Sequence, residues 1–131
     1  IVIHITPAPQ VGLDDDIFVR MDLWHNGECR SIRYIPKSEV GKNPKDFIIT
    51  ASIDRWFAVG RKQLDVVKGM MQGKLKLKGD LPTVVKAVKP AVRIVETVGE
   101  VGGKYEDELT PEETEKFRAT VNELLPEFGL V

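Results

Sequence analysis

The chain has 131 residues, 42% apolar and 30% charged side chains and a net charge of −1, a profile that fits one globular domain and excludes a disordered or fibrous chain. No apolar run approaches the about 20 residues that a bilayer-spanning helix needs, and the single cysteine, Cys29, excludes an internal disulfide framework and fits a reducing, cytoplasmic setting. The small net charge hides an asymmetry: residues 61–93 carry 9 basic against 2 acidic side chains, and residues 94–131 carry 3 basic against 10 acidic ones.

In chain order, Ile1 to Thr6 is β-branched and apolar and reads as a short strand stopped by Pro7 and Pro9. A loop with Asp14, Asp15 and Asp16 follows. Asn26-Gly27 between two apolar-patterned runs (residues 17–25 and 28–35) is the signature of a two-residue type I′ hairpin turn. That turn pairs His25 with Glu28, Trp24 with Cys29, Met21 with Ile32 and Val19 with Tyr34. It therefore predicts a core face of Ile17, Val19, Met21, Leu23, Ile32 and Tyr34. Residues 46–51 read as a fourth strand, with Phe47, Ile49 and Ala51 on one side.

Ser52 is placed to cap a helix over 53–61, and Asp65 to cap a second one ending before Gly73. Lys74 to Lys78 alternates strictly and reads as a half-buried strand with Leu75 and Leu77 inward. After the Gly79-Asp80 turn, Pro82 opens an amphipathic helix whose apolar stripe is Val84, Val88, Val92 and Val95, with Pro90 expected to kink or split it. Thr110-Pro111-Glu112-Glu113 is a capping box opening a last helix, with Phe117, Val121, Leu124 and Leu125 as its stripe and Pro126 as its end. Strands followed by helices, with no repeat, predict an α+β fold: one sheet covered on one face by helices.

Catalytic chemistry finds little foothold in these residues. The histidines are His4 and His25, and the hairpin register sends His25 and Cys29 to opposite faces of an exposed tip, which argues against a nucleophile–base pair. The Asp14–Asp16 run lacks the alternation of a calcium loop, and no metal-ligand spacing or phosphate-binding glycine motif is present. The basic Lys74–Lys78 segment has no interleaved aromatics, so nucleic acid is not an expected partner. The chain is expected to be non-catalytic, with no cofactor and no metal. The short helices instead concentrate apolar side chains, among them Trp56, Phe57, Val59, Val66, Val67, Met70 and Met71, a set that suits either plain core or an adaptable apolar site.

Three runs carry a family resemblance: Phe47-Ile-Ile-Thr-Ala-Ser52, then Trp56-Phe57, then Met70-Met71-Gln72-Gly73-Lys74 running into Leu75-Lys-Leu-Lys-Gly79-Asp80. Over roughly residues 1–93 the chain resembles the sterol carrier protein type 2 domain. The resemblance implies a five-stranded, mainly antiparallel sheet with helices on one face and an apolar tunnel between them. It implies non-catalytic binding of a fatty acid, fatty acyl-CoA or sterol-like lipid, and transfer of that lipid. It places Trp56, Phe57, Met70, Met71, Gln72, Leu77, Val85 and Val88 at the ligand, with Gln72 either the polar group nearest to it or a helix-end hydrogen-bonding group.

The chain departs from the family in lacking an N-terminal helix and in adding the acidic segment 94–131, whose helix is expected to cover apolar surface near the tunnel mouth. The end of the chain also lacks the family's common peroxisomal address. Residues 1–131 are read as one domain with a core over 1–93. Lys74, Lys76, Lys78, Lys86 and Lys89 form a candidate basic face toward anionic membrane. The alternative reading is a structural or oligomerisation domain of a larger protein with a filled tunnel.

Overall fold

A computed structural model describes residues 1–24, 28–101, 109–127 and 129 of the chain. Five strands, β1 (Val2–Ile5), β2 (Ile17–Leu23), β3 (Cys29–Tyr34), β4 (Ile48–Ala51) and β5 (Lys76–Lys78), form one sheet in the order β3-β2-β1-β4-β5. Three of the four pairings are antiparallel; β1 runs parallel to β4. Helices α1 (Ile53–Gly60), α2 (Val66–Met71) and α3 (Leu81–Val101) pack together, while α4 (Pro111–Glu127) packs on a 3-10 turn at Pro9–Val11. The architecture is the α+β fold expected from the sequence.

Local chemistry accounts for most element ends. Asp65 caps α2 by accepting the Lys68 amide at 2.9 Å, and Gly73, at φ 74°, takes the left-handed step just past the helix. Replacing Asp65 with alanine is expected to cost about 1 kcal/mol, read as a lower urea midpoint. The Thr110 hydroxyl accepts the Glu113 amide at 3.2 Å and donates to its carboxylate at 3.1 Å, which starts α4 as the capping box predicts. α3 is a single helix running through Pro90. A proline inside a helix leaves the carbonyl four residues earlier unpaired and costs on the order of 3 kcal/mol. α4 likewise continues one residue past Pro126.

The sheet is apolar on both sides of its centre. Toward the helices, Ile3, Met21, Ile49 and Ala51 join Trp56, Val59, Val66, Met70, Leu75, Val84 and Val88 in the main core. On the outer face, Val2, Phe18, Ile48 and Ile35 form a second buried cluster. Ala8, Val11, Leu13 and Ile53 make a third, with Phe57, Leu109 and Val121 packed against it.

Several sequence expectations need correction. The Val19–Tyr34 and Met21–Ile32 pairs form as predicted, but a bulge shifts the register near the tip. Leu23, not Trp24, therefore pairs with Cys29, and Arg30 stacks over the Trp24 ring at 3.5 Å. The Asn26-Gly27 turn and the His25–Glu28 pair lie outside the described residues. The predicted core face fails on β3, where Ile32 and Tyr34 are 50% and 63% exposed. β3 is an edge strand, and the main core stops short of it. On α4 Leu125 is buried and Val121 half-buried, while Phe117 and Leu124 face outward.

Candidate functional site

Strands β1 and β4 and helices α1, α2 and α3 together line a cavity of about 10 Å³ that is partly open to the surface, room for one water-sized sphere. Ile1 and Ile3 line it from the first strand and the residue before it, Ile49 from β4, Trp56 and Val59 from α1, Val66 from α2, and Val88 and Val92 from α3. Strand alternation puts Ile3 and Ile49 on the helix side, where they are cross-strand partners. Helical spacing of four brings Val88 and Val92 onto one stripe of α3. Every lining side chain is aliphatic except Trp56, whose indole N–H donates to the His4 carbonyl at 3.3 Å. An occupant therefore finds dispersion contacts here and no side-chain hydrogen-bond partner, so its polar end must stay near the surface.

The structure separates the residues expected at the ligand. Trp56 and Val88 line the cavity. Met70 is buried in the same core, and Leu77 packs against that core from β5. Val85, half-buried, follows the fully buried Val84 on α3. Phe57 turns away, into the cluster beneath the Pro9–Val11 turn. Met71 is 71% exposed, and Gln72 is an exposed C-cap whose amide donates to the Lys68 carbonyl at 2.9 Å. The apolar set of the short helices included the lining residues Val59 and Val66, whereas Ile1, Ile3, Ile49 and Val92 were not singled out for the site. Strand alternation and the α3 stripe held the signal for Ile49 and Val92.

The five candidate lysines do not share one face. Lys76 pairs with Thr50 and Lys78 with Ile48 on the outer side of the sheet, whereas Lys86 and Lys89 are exposed on α3, on the helix side. The outer face also holds a polar brace that the sequence did not suggest. His4 Nδ1 lies 3.0 Å from the Thr50 hydroxyl, its Nε2 lies 2.6 Å from an Asp16 carboxylate oxygen, and its ring stacks on Phe18 at 4.3 Å. This brace ties β1 to β4 and to the loop before β2. It stands on the opposite side of the sheet from the cavity.

α4 covers the Pro9–Val11 turn rather than the cavity, to which it contributes no lining residue. Arg118 donates to the Pro9 carbonyl and pairs with Asp14 at 3.2 Å, and Asn122 donates to the other Asp14 oxygen at 3.1 Å. Among the described residues no helix is long and apolar enough to cross a membrane, and no group of three or more His, Cys, Asp or Glu side chains is placed to hold a metal ion.

Comparison with known proteins bears on this geometry. A solution structure of a conserved hypothetical protein from Thermus thermophilus, described as possibly a sterol carrier protein, is 28% identical, with a TM-score of 0.60 over 79% of this chain and 69% of that one. A crystal structure of sterol carrier protein 2 is also 28% identical, with a TM-score of 0.59 over 77% of this chain and 75% of that one. No curated protein sequence matches the chain. The SCP-2 sterol transfer family matches residues 1–91, which take in all five strands, α1, α2 and every cavity-lining residue but Val92. With more than half its length matched, the chain belongs to the SCP-2 sterol transfer family.

Proposed function

We propose that this chain binds a lipid with a long apolar tail (a fatty acid, a fatty acyl-CoA or a sterol-like molecule) and transfers it without catalysing a reaction on it. The observation that supports this reading is the wholly apolar lining of the cavity between sheet and helices, in a chain of a sterol transfer family. The cavity widens into a tunnel as the tail enters. Each buried methylene contributes about 0.8 kcal/mol, so about ten of them supply roughly the 8 kcal/mol of a micromolar complex. The cost of widening the cavity is set against that gain. Exposed lysines on both sides of the fold leave more than one way to meet an anionic bilayer.

Native mass spectrometry of the purified chain, with extraction of any bound lipid and titration with a fluorescent fatty acid, tests the reading. A released lipid mass or saturable uptake of the probe is the expected result. Vesicle-to-vesicle transfer that slows at high salt is the expected sign of an electrostatic membrane encounter. A second reading is favoured by the size of the cavity. At about 10 Å³ it is nearly filled by side chains, as in a structural or oligomerisation domain of a larger protein. A ligand-free mass together with no probe uptake would select that reading.

A further inference from the structure

We infer that the second half of α3 is the gate of the cavity and that Pro90 is its hinge, an inference that rests on the lipid-binding reading. The cavity holds no more than one water-sized sphere, so an apolar tail enters only if a wall moves. Four of its walls are poorly placed to do so. Ile3 and Ile49 belong to paired central strands, Trp56 is held by its hydrogen bond to the His4 carbonyl, and Val66 opens a capped helix.

The wall formed by α3 is different. Its two lining residues, Val88 and Val92, stand two positions before and two positions after Pro90. Proline has no N–H to donate to the Lys86 carbonyl, and its ring crowds that carbonyl, so the helix is weakest between the two residues that close the cavity. Val88 is 3% exposed and belongs to the main core, whereas Val92 is only partly buried against it. The lining residue before Pro90 is thus firmly seated, and the one after it less so.

Swinging residues 91–101 outward leaves the fold of the first 90 residues intact. It uncovers the cavity at Val92. Sites of motion are drawn from such weakly held segments.

The test is stopped-flow association of NBD-labelled stearate with the full chain, comparing wild type, Pro90→Ala and Pro90→Gly, with the thermal midpoint of each. Alanine restores the missing hydrogen bond and stiffens the helix, so P90A is expected to raise the midpoint and to slow association about tenfold by depopulating the open arrangement. Glycine restores the N–H but leaves the backbone soft, so P90G is expected to fall between the two. Association of P90A at the wild-type rate overturns the gate, and so does a lower midpoint for P90A, because it makes Pro90 a packing residue. Failure of the wild type itself to take up the probe sinks the lipid-binding reading instead, and the two failures are told apart by that control.

Discussion

Replacing Trp56 with alanine is expected to destabilise the protein by about 3–5 kcal/mol, the largest effect of any single truncation around the cavity. The indole is 7% exposed, lies in the main core and walls the cavity. Its removal forfeits the transfer free energy of a large ring and leaves a void that the sheet and α3 fill only in part. It also deprives the His4 carbonyl of the indole N–H. Trp56→Phe keeps most of the volume and loses the donor, so its expected cost is that of one hydrogen bond, about 0.5–1.5 kcal/mol. Urea denaturation followed by circular dichroism reads both, because removing one of only two tryptophans compromises fluorescence. A loss below about 1 kcal/mol for Trp56→Ala would show that the cavity collapses freely. On the lipid-binding reading, a long-chain fatty acid should restore part of the lost stability of W56A, since the enlarged void is apolar and a ligand of the folded state shifts the equilibrium toward it.

The second large effect is expected at Gly12. Its φ of +89° lies in the left-handed region, and a Cβ there would stand 2.7 Å from the Thr114 carbonyl oxygen and 2.8 Å from the Arg118 amide nitrogen. Both obstacles are backbone of α4 and cannot yield by a rotamer change. Gly12→Ala therefore combines about 1–2 kcal/mol of left-handed backbone cost with about 1–3 kcal/mol of overlap. Gly41 supplies the control, since it has a φ of +83° with nothing within 4 Å of the same added atom. Gly41→Ala should show the backbone cost alone. Hydrogen exchange over residues 111–127 reads the difference. G12A should speed exchange there by releasing Arg118 and Asn122 from Asp14, and G41A should not. Equal exchange in the two variants would mean that α4 does not depend on this close approach.

Features that rest on local chemistry were legible in the sequence. Asp65, Gly73 and the alternation through Leu75 and Leu77 lie within a few residues of the elements they shape, and so does the Thr110–Glu113 box. Features that depend on where an element ends up in space were not legible. Ile32 and Tyr34 carry the alternation of a core strand, but β3 lies at the edge of the sheet, beyond the reach of the helices. The outer-face cluster of Val2, Phe18, Ile35 and Ile48 is not evident from sequence because the alternation along β2 marks a single apolar face. On α4, Phe117 and Val121 compete as centres of the apolar stripe. The choice falls to Val121 and Leu125 because Arg118 beside them is anchored to Pro9 and Asp14, 109 and 104 residues away. At the candidate site, the run from Met70 to Lys74 drew attention to the end of α2, whereas the side chain of that helix that lines the cavity is Val66 at its start.

The parallel pairing of β1 with β4 also has a consequence for how the chain folds as it is made. His4 and Thr50, neighbours across that pairing, are 46 residues apart, whereas β2 and β3 are joined by a short connection. At roughly 5–20 residues per second on the ribosome, the first strand waits some seconds for its partner. During that interval the β2–β3 hairpin is free to form and β1 can pair only on its β2 side. Its other edge, carrying Val2 and Ile3, stays open to unwanted partners until β4 emerges. The emerging chain is thus most exposed to misassembly between the appearance of its third and fourth strands, and a chaperone holding β1 over that interval would raise the yield of folded protein more than one acting later.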